Sequence, residues 1–591
     1  MQADTAEHNL FVRRVAFGVS FVITMAGSLG LAALALAPGG WGLLDIAALL
    51  LLAVVLPWMA AGFCNAVISS VIMRFAADPS AEVLPAFRRV RGDESIIAST
   101  AILLCIRNEP PERIIRNVEA MLAGLDASGW GERFHFYVLS DTNAAEIAAN
   151  EETPFSKLAE RWRDRIAVTY RRREVNTGYK AGNIRDFCER WGSRHDLAVT
   201  LDADSFMPAD AILRLVRIMQ ADSRLGILQA LIVGLPSTSL FARIFQFGMR
   251  LGMRSYTIGS AWWQADCGPY WGHNAVLRLQ PFIKHCVLPL LKDTEEERHI
   301  LSHDQIEAAL MRSAGFHVRV LARESLGWEE NPPTLLEFMR RDLRWCQGNM
   351  QYWRLLSLPN LKPVSRYQLI LAILMFIGSP AWIGLLALAT IALVSNERPA
   401  NFIAADDGIL LLSWILVMWF APKIATFVDL LFRMDARRAF GGAGFIIANL
   451  VVETIYSILL CPILWISHTI FLLGLLFDRQ VGWIGQVRDD HAVPFRSALS
   501  SLWPQTLIGW IVIGLVSATQ PAALSYILLL AAGPALAIPF AMLTAWPSLG
   551  RFAARIGIGR LPEETATPEE LRHLSLPAIR PLVQPAAPGT A

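Results

Sequence analysis

Three short apolar runs end in carboxylates. Thr100–Ile106 (TAILLCI) is followed by Arg107-Asn108-Glu109, residues 134–139 (FHFYVL) by Ser140-Asp141, and residues 197–201 by Asp202-Ala203-Asp204-Ser205. Two aspartates one residue apart can hold a divalent cation against a diphosphate, because Mg2+ takes a few carboxylate oxygens and completes its shell with phosphate and water. Taken alone, that spacing is also common in solvated loops. Lys180-Ala181-Gly182-Asn183 adds a cation and a small-residue turn opening a helix, suited to phosphate or base contact and equally to an ordinary helix start. Further along stand Trp271-Gly272-His273-Asn274, Ser302-His303-Asp304 and Arg341-Asp342-Leu343-Arg344-Trp345. By residue type alone, Asp304 is a helix cap before residues 305–314, and His273 a structural histidine.

These groups need a scaffold that brings strand ends together. The runs at 100–106, 134–139, 166–170 and 197–201 alternate with helix-compatible stretches such as 111–125, which predicts an α/β domain with a mostly parallel sheet. Such sheets bind ligands outside the carboxyl ends of their strands, where the carboxylates stand. Residues 335–356 read as an amphipathic helix beside a membrane, carrying Phe338, Trp345, Tyr352 and Trp353 with Arg340, Arg341 and Arg344.

Composition supplies the membrane. Of 591 residues, 54% are apolar and 18% charged, and the mean hydropathy is +0.40; this excludes disorder and an ordinary water-soluble protein. With 53 basic against 51 acidic residues, nothing favours nucleic acid. Seven cysteines, an odd number without a C-x-x-C pair, suggest neither zinc nor a disulfide framework. Apolar runs at 15–37 and 46–73 form a hairpin about Pro38-Gly39-Gly40, and further runs lie at 368–394, 408–432, 443–477 and 505–546. The 35 residues of 443–477 exceed one upright helix and contain Cys461-Pro462, so they read as two short crossings or a re-entrant pair; 505–546 reads as two helices.

Arginines gather on one side throughout, predicting eight crossings with both termini and the polar insert in the cytoplasm. Four segments follow: a hairpin (1–94), a polar cytoplasmic domain with interfacial helices (95–358), a second membrane domain of about six crossings with a loop at 478–500 (359–546), and a disordered cytoplasmic tail (547–591). Lys423 and Asp429, near a helix end, are expected to snorkel to the interface, whereas the more central Glu453 is expected to face a polar channel.

Together, Glu109, Asp141, KAGN at 180, DADS at 202, WGHN at 271, SHD at 302 and RDLRW at 341 resemble the family 2 glycosyltransferases, especially processive membrane synthases with D, DxD, TED and QxxRW motifs. The likeness runs from residue 100 to about 490 and is strongest to the branch that makes osmoregulated periplasmic glucans, echoed in VLSD, LDADS, YWGHNA, ILSHD, RRDLRWCQGN and QVRDD. Ser302-His303 replace the first two letters of TED and Arg341 replaces Gln, as in that branch. The region before the first apolar run is short, so regulatory roles of longer extensions are not carried over.

The resemblance implies a cytoplasmic glycosyltransferase A-type α/β domain inserted in a polytopic α-helical membrane domain. It implies Asp304 as catalytic base, and Asp202 and Asp204 as ligands of Mg2+ (or Mn2+). UDP would be bound by Glu109, Asp141, Lys180, Asn183, Asp202, Arg344 and Arg488, and the acceptor sugar by Trp271, His273, Asn274 and Trp345. The loop carrying Arg488 would gate the nucleotide site; a plain surface turn is the equal alternative. The activity implied is inverting transfer from UDP-glucose to a growing linear β-1,2-glucan, translocated across the bacterial inner membrane. Acyl carrier protein and a periplasmic glucan-processing protein are the implied partners. Synthesis of cellulose, hyaluronan or a chitin-like polymer, or a nucleotide-sugar-gated channel or sensor without turnover, are the alternatives.

Overall fold

The computed structural model describes residues 2–292, 297–395, 405–482 and 487–574. Helices α1 (Gln2–Leu36) and α2 (Leu43–Phe75) form the expected hairpin, with Gly40 at φ +74° in the turn, a conformation glycine takes without steric cost.

The α/β domain follows as β1 (Thr100–Ile106), α3 (Pro111–Ala127), β2 (Phe134–Ser140), α4 (Ala145–Trp162), β3 (Ala167–Arg172), α5 (Tyr179–Trp191), β4 (Leu197–Asp202), α6 (Ala209–Ala221), β5 (Leu225–Ala230), α7 (Leu240–Gln264), β6 (Ala275–Arg278), α8 (Asp304–Ser313) and β7 (His317–Leu321). These strands form one seven-stranded sheet in the order β7-β5-β6-β4-β1-β2-β3. All pairs are parallel except those of β6, which runs antiparallel to β4 and β5. The continuous apolar runs are explained by cover on both faces: Ile102 and Leu104 enter one core, Ala101 and Leu103 the other.

Helix α9 (Leu335–Met350), capped by Thr334, leads to the membrane helices α10 (Pro363–Val394), α11 (Ala405–Phe432), α12 (Ala443–Leu475) and α13 (Phe495–Thr519). After them come α14 (Leu524–Ala535) and α15 (Ala537–Thr544), and then α16 (Pro547–Ile556) and the short α17 (Pro562–Thr565).

Two expectations are corrected here. Residues 443–475 are one helix of 33 residues with Pro462 inside it, neither two crossings nor a broken pair. Both its ends lie on the side of the α/β domain. Asn449 bonds to Gly557 O (3.0 Å) and Gly559 N (2.6 Å), in a segment tied to α7 by Arg243 Nε donating to Ile558 O, and Leu475 reaches the cleft that holds Asp304. A length argument assumes an upright helix, whereas one lying obliquely is not limited by bilayer thickness. By length and composition six helices could cross, or up to seven with the segment of α14 and α15, bent by 59°. Counting that bent segment as one span and leaving out α12, six remain, fewer than the eight expected. A reporter after Leu561 and one within residues 95–358 should therefore both read as cytoplasmic, and one between Gly39 and Trp41 as periplasmic; opposite signals from the first two would require α12 to cross.

The second correction concerns the tail. Up to residue 574 it is ordered against the protein, and residues 575–591 lie outside the described residues. Glu563 Oε1 accepts from Arg250 Nη1 (2.9 Å) and Trp328 Nε1 (3.2 Å), Glu564 pairs with Arg243 (2.9 Å), and Leu571 and Leu574 join the core of the α/β domain. The Pro/Ala-rich composition concealed two buried ion pairs. Because Glu563 is 4% exposed, Glu563→Ala leaves buried donors unpaired and should destabilise the protein by ~3 kcal/mol, seen as a lower thermal unfolding midpoint in detergent.

Candidate active site

The sheet order explains the site. Strands β4, β1 and β2 are neighbours and parallel, so Asp202, Glu109 and Asp141 emerge at one edge. Because β6 is antiparallel, the segment leading into it, Trp271 to Asn274, arrives at the same edge: Asn274 N donates to Thr200 O (2.7 Å). Gly272, at φ +81°, turns this segment beneath Asp304; a Cβ there would lie 3.7 Å from Asp304 Oδ2.

Two connected clefts share these walls. The inner one, about 210 Å3, is lined by Glu109, Asp141, Asn183, Asp204, His273 and Arg488, among others. The outer one, about 780 Å3, has Asp304, His303, Gln347 and Arg354 on its walls. Lys180, Asp202, Trp271, Arg344 and Trp345 line both.

Charge is arranged in pairs. Lys180, near the start of α5, binds Asp202 and donates to Gly272 O (2.8 Å). Burial disfavours both charged forms, yet mutual attraction prevails, raising the Lys180 pKa and holding the Asp202 carboxyl far below its usual range. His273 Nε2 lies 3.2 Å from Glu329, and its Nδ1 3.9 Å from Asp202. Asp141 receives two bonds of 2.7 Å from Arg173. Arg488 grips Glu109 at 3.1 and 3.3 Å and also binds Asp204. On the same loop, Asp489 binds Arg113 and Asp490 binds Thr238; residues 483–486, including Gln486 of QVRDD, lie outside the described residues. Burial, with Arg341 and Arg488 close by, pushes the Arg344 guanidinium down to about 10. An anion entering among three crowded guanidiniums relieves that strain.

Asp304 opens α8, with Oδ1 accepting from Gln305 N (3.0 Å). Behind it, His303 Nδ1 meets Glu307 at 2.8 Å in a buried pair; Glu307 raises the His303 pKa against burial, and burial raises that of Glu307.

Two residues expected to touch ligands are otherwise engaged. Asn274 is fully buried and outside both clefts, at φ +50°; it joins β6 to β4 rather than facing an acceptor. Asn183 accepts from Arg171 Nη1 (2.7 Å) and donates to Leu139 O (2.9 Å), so it shapes the inner wall while tying α5 to the sheet. Pattern reading missed Arg173, Glu329 and Glu330. Arg173 is the first residue beyond β3, so applying the strand-end rule to this fourth strand finds it. Glu330, which binds Arg113 at 2.7 Å, and Glu329 follow no such rule.

Among the described residues no group of three or more His, Cys, Asp and Glu is placed to hold a metal. Asp202 and Asp204 give a pair of hard oxygen donors, which fits an ion that takes one or two carboxylates and completes its shell with substrate phosphate.

Residues 101–286 match the family described as Glycosyl transferase family 2, and residues 197–432 match Glycosyl transferase family group 2. The chain is similar over these stretches to family 2 glycosyltransferases. It is similar to glucans biosynthesis glucosyltransferase H of Pseudomonas paraeruginosa, 35% identical over 547 residues, which covers 89% of this chain and 62% of that one. Its counterpart in Pseudomonas putida is 33% identical over 551 residues, covering 89% and 63%. The chain thus spans a little under two thirds of these relatives' length. Among solved structures, the mannosyltransferase PcManGT from Pyrobaculum calidifontis, in complex with GDP-Man and Mn2+, aligns at TM-score 0.36 and 14% identity over 62% of this chain and 98% of that one. The two clefts lie at the carboxyl edge of the sheet, and the α/β domain is flanked by helices long enough to cross a membrane.

Proposed function

We propose that the protein is an inner-membrane, metal-dependent, inverting glucosyltransferase that builds a linear β-1,2-glucan from UDP-glucose and passes it through its own helices. The observation that carries this reading is the meeting of Asp304, Lys180, Asp202, Arg344, Trp271 and Trp345 on one cleft. Inverting transfer needs a base at the acceptor hydroxyl, neutralisation of the leaving diphosphate and a nucleotide pocket. Asp304 takes the hydroxyl proton. Arg344, Arg341 and Arg488 face the diphosphate, and Asp141, held by Arg173, lines the uridine side. Trp345, 48% exposed, and Trp271 offer indole faces to the acceptor ring. Mg2+ or Mn2+, held by Asp204 and Asp202, would supply the remaining positive charge against the diphosphate.

Support for translocation comes from a cavity of about 540 Å3 between the membrane helices, lined by Trp58, Trp382, Trp419, Trp465 and Tyr256. Several of its polar groups pair with one another: Lys423 binds Glu453, which accepts from Ser457 (2.6 Å), and His468 bridges Ser379 (2.8 Å) and Asp342 (2.5 Å). Lys423 therefore turns inward instead of snorkelling. Asp342 shares α9 with Arg344 and Trp345, so one helix borders both cleft and cavity. Acyl carrier protein and a periplasmic processing protein remain proposed partners, to be sought by copurification.

The test is incubation of purified protein with each UDP-sugar and Mg2+, followed by methylation analysis of the product. 2-Substituted glucose from UDP-glucose alone is the expected result. A 4-substituted product would mean a cellulose-type synthase, and no polymer at all would mean a nucleotide-sugar sensor.

A further inference from the structure

Where α2 and α11 end on the side of the α/β domain, they leave between them a cavity of about 610 Å3. Its walls follow helical spacing. Val71 and Phe75 on α2 are 56% and 81% exposed, and Val428 and Phe432 on α11 are 43% and 66% exposed. One turn farther from the domain, Val67 and Ile424 continue the two rows, each exposed. Two parallel apolar rows bound the groove, and its head is charged. Arg74 and Arg433 line it there.

The charge is not balanced locally. Asp429 is shared by Arg433 (2.9 Å) and Arg254 (2.9 Å), so one carboxylate meets two guanidiniums. Arg433 also donates to Met73 O at 2.8 Å, which fixes it across the gap between the helices. Arg74 has no carboxylate partner among the described residues, and its guanidinium sits 4.9 Å over the Phe432 ring. The head of the groove, at the ends of two helices long and apolar enough to cross a membrane, is thus net positive, and the rest is apolar.

We propose that this groove binds one anionic phospholipid, its phosphate between Arg74 and Arg433 and an acyl chain along the rows that end at Phe75 and Phe432. Charge complementarity favours an anionic headgroup over a zwitterionic one, and the apolar rows favour a lipid over free phosphate. The site lies on the outer face of α11, whose inner face carries Lys423 into the aromatic cavity. It is independent of which sugar or linkage the enzyme handles, so binding can be read without activity.

The test is native mass spectrometry of the full chain extracted from vesicles of equal phosphatidylglycerol and phosphatidylcholine. Wild type should retain phosphatidylglycerol preferentially, and Arg74→Gln should lower that preference about fivefold, the effect of one arginine at a membrane surface. Val428→Trp, which fills the groove without altering charge, should lower retention of the same lipid. Arg551→Gln, at an exposed arginine on α16, should leave it unchanged. UDP binding, measured on each preparation, reports the fold. Equal retention by wild type and Arg74→Gln, loss equal to that in Arg551→Gln, or displacement of the lipid by inorganic phosphate alone would each overturn the proposal.

Discussion

Asp304→Asn should lower glucan synthesis by at least ~10²-fold while UDP affinity stays at the wild-type value. The substitution keeps the shape of the side chain and the oxygen that accepts from Gln305 N (3.0 Å), so the start of α8 should remain as it is. What it removes is the basic oxygen turned towards Gly272 and the outer cleft, the position from which an acceptor hydroxyl can be deprotonated. The proposed nucleotide contacts, Asp141, Glu109 and Arg488, line the inner cleft and should not sense the change. Calorimetry with UDP and a synthesis assay on one preparation give both values. A misfolded variant loses both, a variant of a mere cap loses neither, and near-normal synthesis would remove Asp304 from the chemistry together with the reading of Ser302-His303-Asp304 as a form of TED.

The strand ends were legible because a parallel strand buried on both faces must be an unbroken apolar run, and its first polar residue marks the edge where ligands bind. Glu109, Asp141 and Asp202 stand at such edges, and the helix start at Asp304 is legible from its residue type as a cap. Pairing between remote positions leaves no such trace. Arg488 and Glu109 are 379 residues apart, Glu563 and Trp328 are 235 apart, and neither partner's neighbourhood announces the other. The same reason hid the order of the tail, since its charged residues are buried only because Arg243 and Arg250 on α7 await them. For α12, hydropathy measured length but carried no tilt. Asn183 and Asn274 were assigned to ligands through motifs whose polar residues also serve the backbone, and only geometry separates those uses.

Asp204→Ala should abolish synthesis, by about a thousandfold or more, and weaken UDP binding in Mg2+, on the several-kcal/mol scale of a cation at a leaving diphosphate. The pairing of Arg488 with Asp204 adds a competing explanation, since losing Asp204 also loosens a loop held through Glu109, Arg113 and Thr238. Two comparisons separate them. A chelator should bring wild type down to the level of Asp204→Ala and leave that variant unaffected, because a latch does not respond to chelation. In an Arg488→Ala background, Asp204→Ala should still remove the Mg2+-dependent part of UDP affinity, whereas a carboxylate that serves only to hold Arg488 would have nothing further to lose. Additivity between the two substitutions therefore makes Asp204 a metal ligand, and complete masking makes it a latch. With the ion present, Arg488 is expected to give up Asp204 and keep Glu109, so that the same carboxylate neutralises an arginine before the nucleotide arrives and the metal afterwards. Calorimetric titration of UDP into the four proteins of this cycle, with and without Mg2+, measures the coupling directly.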